Sequence, residues 1–252
     1  MKSSKNSGPE ERSQKALGQI MLKFSFISVH PQIVDTYSNF GVFASAKKKN
    51  IAQIKAVDLR EFATDRHGSI DDAPYGGGDG MVMKPDVLSA AVRAVRNPYV
   101  ILTGPAGKKF TQTDADDLRE VALSNKELVF VCGRFAGIDQ RFVDKYVNVE
   151  FSLGDFVISG GELPSLIICD AILRSLPGVL GNNESYSRDS FSDVFKGGLE
   201  FPQYTKPREF EGLPVPEVLL SGNHKNIENW RREQSVIRTK KFRPDLLDEK
   251  KS

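Results

Sequence analysis

Apolar runs of strand length alternate with helical segments along most of the chain, and this alternation restricts the fold more than any other feature. A first buried strand is predicted at Leu22–Val29, a second begins at Ile51, and later strands run over Tyr99–Leu102 and up to Cys132. Helices are predicted between them, for example Pro85–Arg96, whose apolar residues recur at helical spacing. Strands that alternate with helices predict an α/β domain with a largely parallel sheet. A chain of 252 residues forms one large domain or two smaller ones.

Three glycine-containing loops follow predicted strands, at Thr103–Gly107, Gly133–Gly137 and Leu153–Gly161. In an open α/β sheet, ligands bind at the carboxyl ends of the parallel strands. No strand is followed by Gly-x-Gly-x-x-Gly or by a Walker lysine motif, which disfavours a common dinucleotide site and a P-loop site. The three loops therefore predict a ligand pocket of another kind.

The third loop belongs to the stretch SLGDFVISGGELP, residues 152–164, which opens directly into a helix. Ser159 is expected to cap that helix, and Asp155 is expected to be a buried carboxylate in an otherwise apolar run. The helix LPSLIICDAIL is apolar on nearly all sides and is predicted to be buried. On spacing alone, a ligand cradle and a tight loop between two core elements remain equally open interpretations.

A long polar loop is predicted at 64–83, with Gly76, Gly77, Gly78 and Gly80 placed around Asp79. Loops of this length inside a compact domain are usually functional or disordered. The sequence slightly favours a functional loop, because glycines would let a ligand or a partner's backbone approach closely. A flexible surface loop stays open as the alternative.

The composition is that of an ordinary soluble globular protein, with 39% hydrophobic and 27% charged residues. A net charge of +2 does not by itself indicate a nucleic-acid partner. Cys132 and Cys169 lie in apolar runs without a Cys-x-x-Cys partner, which disfavours a zinc site or a disulfide framework and suits the cytoplasm. No membrane-spanning run or signal peptide is found, and no membrane partner is expected. Residues 1–20 are polar and predict a disordered extension, or lie upstream of a start at Met21.

The C-terminal part of the chain has a different character. Residues after Leu176 are rich in Gly, Asn and Ser and are interpreted as a linker. The last predicted helix, NIENWRREQSVIRTKKF, is basic: between Lys225 and Arg243 seven Lys and Arg stand against two Glu, a local net charge of +5. A solvated helix is the ordinary interpretation of such a run, whereas one-signed charge after a mobile linker favours a phosphate-contacting module.

Several long motifs occur in a fixed order: DRHGSIDDAPYGGGDGM, VCGRFAGIDQR, SLGDFVISGGELP, LPGVLG and VLLSGNHKNIENWRREQS. Together they closely resemble bacterial tRNA (guanine-N1)-methyltransferases, from about Met21 to the C-terminus. The resemblance implies a SPOUT fold, in which a mostly parallel α/β sheet contains a deep trefoil knot. It implies a cofactor domain at 21–180, a flexible linker at 181–200, and a helical tRNA-binding domain at 201–252. It further implies a homodimer that acts on tRNA and not on DNA.

The resemblance also implies the site. S-adenosylmethionine would bind in the knot, against Gly133, Leu153, Gly154, Asp155, Phe156, Val157 and Ile158. The substrate would be the guanine immediately 3′ of the anticodon, position 37 of the tRNA. Guanine N1 carries a proton at neutral pH, so the reaction needs a base and a group that stabilises charge on O6. Asp189 matches the base and Arg174 the charge-stabilising arginine, while Arg231, Arg232 and Lys240 would bind the tRNA.

The residues themselves leave other interpretations open for two of these assignments, and the chain departs from the family pattern at several positions. Asp189 has the ordinary alternative of capping a following helix turn, and Arg174 that of a structural pair with Asp170. The chain also departs from the family pattern. Ala136 stands where the family usually has a Glu associated with a magnesium requirement, so magnesium is a candidate cofactor without an assigned site. Gly104 and Ala106 stand in a loop that usually reads Ser-Pro-Gln-Gly.

Two further function classes follow. A non-catalytic RNA-binding relative is suggested by the missing acidic residue, although Asp189 and Arg174 are retained. An α/β enzyme that uses another nucleotide is disfavoured by the lack of phosphate-binding motifs.

Overall fold

The computed structural model describes residues 21–181, 186 and 188–248, and the predicted extension 1–20 lies outside the described residues. The chain divides between Leu180 and Gly181 into two compact units. The first unit contains the strand–helix alternation, and the second contains the basic helix. The roles assigned above to 21–180, 181–200 and 201–252, including the flexibility of the linker, stay predictions.

The first unit is built on a parallel sheet. Its strands are β1 (Leu22–Ser28), β2 (Ala52–Asp58), β3 (Asp71–Asp72), β4 (Val82–Met83), β5 (Pro98–Lys109), β6 (Glu127–Val131) and β7 (Val149–Ser152). Five of them form one sheet in the order β2-β1-β6-β5-β7, and every neighbouring pair in it is parallel. The short strands β3 and β4 pair with each other, antiparallel. The predicted α/β class with a mostly parallel sheet is therefore confirmed.

Helices cover both faces of this sheet. They are α1 (Pro31–Tyr37), α2 (Gly41–Lys48), α3 (Pro85–Arg93), α4 (Gln112–Leu123), α5 (Gln140–Tyr146) and α6 (Glu162–Arg174). Alternate residues of a strand point to opposite faces. Thus Phe26 and Phe130, which stack at 4.7 Å, lie in the core beneath α1, α2, α4 and α6. Ile27 and Val131 lie in the core beneath α3 and α5.

Two local predictions are wrong in detail. The strand expected to end at Leu102 continues to Lys109, with a shift in its register against β7 between Thr103 and Lys108. The predicted Gly-Pro-Ala-Gly loop is thus an irregular part of a strand. The pattern of Thr113 with Asp116 predicts a capping box for α4. The structure forms that box two residues earlier, between Thr111 and Asp114.

The stretch 152–164 also differs from its prediction. Asp155 is exposed, and Gly161 instead of Ser159 precedes α6 as its N-cap, without a side-chain cap. The helix itself is buried only on one side: Leu163 and Ile167 keep 58% and 55% of their surface exposed. They lie four residues apart, so they form an apolar stripe on the outer face of α6.

The described residues of the second unit form one small sheet, a 3-10 helix at Asp193–Phe195 and several α-helices, joined by irregular segments. Its elements are β8 (Glu209–Phe210), β9 (Leu213–Pro214), α7 (Glu217–Leu220), α8 (His224–Phe242) and α9 (Asp245–Asp248). The basic helix predicted near the C-terminus is α8. In neither unit does the described part of the chain contain a helix that is long and apolar enough to cross a membrane.

Candidate active site

The three glycine-containing segments converge on one pocket of about 390 Å³ in the first unit. It is lined by residues from Leu102–Ala106, from Gly133–Ile138 and from Phe151–Gly161. These segments follow β5, β6 and β7, which are neighbours in the parallel sheet, so their carboxyl ends meet at one edge. The predicted convergence of the strand ends is therefore present in the structure.

The residues predicted to hold the cofactor are distributed around this pocket with one exception. Those that line it are Gly133, Leu153, Gly154, Phe156, Val157 and Ile158. Asp155 is exposed and is not among the lining residues. The side chains of Phe156 and Val157 are 61% and 93% exposed, so this wall of the pocket is apolar and open to solvent.

Glycine at position 107 lets β5 approach β7 closely beside the pocket. A Cβ on Gly107 would lie 2.5 Å from the backbone of Glu150 and Phe151 in β7, so no side chain fits there without moving a strand. Glu150 lines the pocket and accepts a hydrogen bond from the backbone N–H of Ala106. Burial nevertheless raises the pKa of Glu150 above its ordinary value. The sequence pattern gave no indication of this carboxylate.

A buried ion pair joins two of the three segments. Arg134 contacts the carboxylate of Glu162 through Nε at 3.0 and 3.2 Å and through a terminal nitrogen at 2.8 Å. Its other terminal nitrogen donates to the carbonyl of Ser159 at 3.2 Å. Glu162, only 1% exposed, also accepts from Ser28 Oγ at 2.7 Å. Arg134 thereby fastens the segment after β6 to the segment before α6.

The same two segments touch through their backbones. Gly161 N–H donates to the carbonyl of Gly133 at 2.9 Å. A Cβ on Gly161 would lie 2.7 Å from the nitrogen of Gly133 and 2.8 Å from Cα of Cys132. At Gly160, a Cβ would occupy the place of the Arg134 guanidinium. The Gly160–Gly161 pair is therefore required by close packing between these two segments, whereas the sequence suggested an approach to a ligand.

The long loop at 64–83 reaches the rim of this pocket. Its last residues run beside the segment after β6: Ala136 N–H donates to the carbonyl of Met81 at 2.8 Å, and Met83 N–H donates to the carbonyl of Gly137 at 2.9 Å. Gly80 lies directly against Ala136: a Cβ added to Gly80 would be 3.1 Å from the Cβ of Ala136. The loop is thus attached to the site at one end, while Tyr75 near its middle is 98% exposed.

The predicted catalytic residues belong to different units. Arg174 ends α6 in the first unit and is exposed, whereas Asp189 lies in the second unit. Asp170, one turn before Arg174, is half-buried; burial raises its pKa and the positive charge of Arg174 partly offsets that rise. The electrostatic contact between Asp170 and Arg174 keeps their structural pairing open as an alternative.

The predicted tRNA-binding residues all lie on α8 but differ in surroundings. Arg232 and Lys240 are exposed. Arg231 is half-buried, and its guanidinium lies over the ring of Phe201 at 4.8 Å from the ring centre. Part of its role is therefore packing within the second unit.

Neither metal ligation nor a cysteine nucleophile is indicated. Within the described ranges, no group of three or more His, Cys, Asp or Glu is placed to hold a metal ion. Cys132 and Cys169 are fully buried, and burial raises the pKa of both thiols. Both cysteines are free, in agreement with the prediction that they form no disulfide framework.

Comparison with known proteins identifies the family. The family model described as tRNA (Guanine-1)-methyltransferase TrmD matches residues 22–249. The chain belongs to this family. A tRNA (guanine-N(1)-)-methyltransferase of Geobacter sulfurreducens is 47% identical over 230 residues, which cover 90% of this chain and 91% of that protein. One of Staphylococcus haemolyticus is 46% identical over 230 residues, with the same coverage of both chains. One of Sulfurihydrogenibium sp. is 46% identical over 234 residues, which cover 91% of this chain and 89% of that protein.

Family membership makes the chain a methyltransferase of SPOUT type and confirms the resemblance seen in its motifs. The family match extends through both units, so the basic C-terminal unit is part of what these proteins share. The trefoil knot stays a prediction.

Proposed function

We propose that the chain transfers a methyl group from S-adenosylmethionine to N1 of the guanine immediately 3′ of the tRNA anticodon, position 37. The convergence of the three strand-end segments on one pocket is the observation that carries the proposal. The relatives at 46–47% identity are named for methylation of guanine N1 in tRNA. The residues assigned as the base and as the charge-stabilising group, Asp189 and Arg174, are both present.

The pocket suits this methyl donor in size and chemistry. Its volume of about 390 Å³ lies in the usual range for small-molecule sites, and its walls combine backbone groups with apolar side chains. Backbone groups around Gly133 and Leu153 would contact polar edges of the adenosine, and Phe156 and Ile158 would contact its apolar surfaces. When bound, S-adenosylmethionine supplies an electrophilic methyl group on a sulfonium.

The residues of the chain then have to prepare the guanine. Asp189 accepts the proton of N1 as the new bond forms, because the N1 lone pair is otherwise unavailable. Arg174 stabilises the negative charge that develops on O6, or orients Asp189. In the alternative role, Arg174 only neutralises the half-buried Asp170.

The second unit supplies the contacts with tRNA. Arg232 and Lys240 present exposed positive charge on α8 and would contact phosphates. Arg231 contributes by stacking on Phe201 as well as by charge.

A homodimer in the cytoplasm is part of the proposal. The exposed apolar residues Leu163 and Ile167, four positions apart on α6, support the dimer. Contiguous exposed apolar surface is typical of interaction sites.

Magnesium is a second candidate cofactor of the proposed reaction. Mg²⁺ is usually held by one or two carboxylates together with substrate oxygens and water, so a preformed protein cage is not required. Ala136 at the pocket rim offers no such oxygen from its side chain. The assay measures methylation with and without magnesium, on tRNA transcripts that carry guanine or inosine at position 37.

A second candidate is a non-catalytic RNA-binding relative, which Ala136 favours. The same assay separates the two, because only the enzyme transfers the methyl group. Asp189→Ala is expected to lower the single-turnover rate by about 10²–10⁴-fold, the usual contribution of a general base, while the affinity for S-adenosylmethionine stays unchanged. Asp193→Ala, an exposed carboxylate on the same segment, is the control. Near-normal turnover of Asp189→Ala would remove that residue from the role.

A further inference from the structure

Two hydroxyl groups are buried on one face of the basic helix α8. Ser235 and Thr239 are 4% and 2% exposed and lie one turn apart. Thr239 Oγ1 donates to the carbonyl of Ser235 at 2.8 Å, and the same oxygen accepts from Leu199 N–H at 2.9 Å. Ser235 Oγ donates to the carbonyl of Leu199 at 2.6 Å. Both backbone groups of Leu199 are therefore held by side chains of α8.

Leu199 belongs to a tightly folded segment, 190–200, which we call the hairpin loop. Phe191 N–H donates to the carbonyl of Gly198 at 2.7 Å, and Glu200 N–H donates to Ser190 Oγ at 3.0 Å. These bonds bring the two ends of the hairpin loop together beside α8. Asp189 immediately precedes this loop, and its carbonyl accepts from Ser192 N–H at 3.3 Å.

Close packing keeps the hairpin loop in a single position on the helix. A Cβ on Gly198 would lie 2.8 Å from Thr239 Oγ1 and 3.1 Å from the carbonyl of Phe195, so only glycine fits between the loop and α8. Hydrogen bonds are directional, whereas apolar contacts allow sliding. The hydroxyls of Ser235 and Thr239 thus fix the backbone position of the loop along the helix axis.

We infer that Ser235 and Thr239 are positioning residues for methyl transfer, which hold Asp189 to the basic helix through the hairpin loop. The inference rests on the proposed role of Asp189 as the base. Its consequence is that Asp189 moves together with α8, the element that we propose contacts tRNA. Binding of the tRNA to Arg232 and Lys240 would therefore also determine where the base is placed.

The test is Thr239→Val, which keeps the shape of the side chain and removes the hydroxyl. We expect the single-turnover methylation rate at saturating tRNA and S-adenosylmethionine to fall on the order of tenfold or more, since small misplacements of a reacting group are costly. The Kd of each ligand should stay within about twofold of the parent value. Thr239→Ser, which retains the hydroxyl, should recover most of the rate. Val236→Ala, on the exposed side of the same helix, should be neutral.

Two measurements separate positioning from a merely structural role. Ser235→Ala removes only the bond to the Leu199 carbonyl and should reproduce the rate loss even if Thr239→Val unfolds. Combined with Asp189→Ala, Thr239→Val should add no further rate loss, because residues that act through one another are not additive. Either of two results would overturn the inference. One is that Thr239→Val and Ser235→Ala both turn over within twofold of the parent rate. The other is that Thr239→Val lowers the rate by the same factor in the Asp189→Ala background as in the parent.

The experiments distinguish an error in this inference from an error in the proposed role of Asp189 as the base. If Asp189→Ala turns over normally, the role of Asp189 is wrong, and the inference falls with it. If Asp189→Ala is inactive while both hydroxyl variants are normal, only the positioning role is wrong.

Discussion

The ion pair between Arg134 and Glu162 predicts a large effect from a single substitution, Arg134→Met. The substitution removes three contacts with Glu162, at 2.8, 3.0 and 3.2 Å, and leaves a carboxylate that is 1% exposed. Breaking one partner of a buried ion pair typically costs about 3–5 kcal/mol. We expect about 3 kcal/mol, the low end, because Ser28 still donates to Glu162 and because water reaches Arg134, whose side chain is 17% exposed. This is a large share of the roughly 5–15 kcal/mol by which domains are stable.

The same substitution should weaken binding of the methyl donor. Arg134 also donates to the carbonyl of Ser159 at 3.2 Å and so connects two walls of the pocket. A hydrogen bond from a charged group is worth about 1.5–3 kcal/mol, so its loss should raise the Kd for S-adenosylmethionine on the order of tenfold or more.

Urea unfolding measures the stability, and calorimetric titration measures the Kd. Arg141→Met is the matched control: Arg141 pairs with Asp139 at 2.7 Å, but its side chain is 72% exposed. Exposed pairs contribute about 0–1 kcal/mol, so this control should change little. Replacing both members, as Arg134→Met with Glu162→Met, should recover part of the lost stability, since no charge is then left buried. An Arg134→Met variant that loses no more stability than Arg141→Met would show that burial does not strengthen the pair between Arg134 and Glu162.

Two further predictions concern the start of α4 and the face of α8. Burial pushes the pKa of Asp114 upward, but hydrogen bonds from Lys108 and Thr111 outweigh burial and hold the pKa below its ordinary value of 3.8. The contribution of Asp114 to stability is therefore present at neutral pH and is lost as the pH falls through the lowered pKa. Asp114→Asn should cost about 1 kcal/mol in urea unfolding at pH 7 through the weakened capping box, and this loss should shrink as the pH falls through the lowered pKa of Asp114; a loss that does not change with pH would contradict this. Replacing Arg232 and Lys240 by Gln should lower the slope of log K for tRNA against log salt by up to about 0.7–0.9 per lost phosphate contact, and an unchanged slope would make α8 a structural helix only.

Much of the fold was predictable because it follows from local periodicity. The apolar run at Leu22–Val29 predicted a buried first strand, and the structure places β1 there with Phe24 and Phe26 in one core and Ile27 in the other. The position of the glycine-containing segments after consecutive strands predicted that they would meet, because carboxyl ends of parallel strands share an edge. The motifs then predicted the family, which the match over 22–249 confirms.

The errors in predicted burial and in the length of β5 have one physical source. Asp155 and the face of α6 with Leu163 and Ile167 were expected to be buried because of apolar neighbours in the sequence, yet they are exposed. Burial depends on whether another element covers a surface, and no local pattern contains that information. The continuation of β5 past Leu102 is similar, since it depends on pairing with β7.

The sequence by itself determined the parallel α/β class, the order of strands and helices, and which segments stand at the strand ends, because these follow from short-range spacing of apolar residues and glycines. Only the tertiary structure decided which charges meet. Arg134 and Glu162 lie 28 positions apart in the chain and come together because the segment after β6 lies against the start of α6. Thr239 reaches Leu199 across 40 positions in the same way. Such contacts are set by the packing of whole elements, and the physical consequence is that the residues that support a site are found only once the fold is known.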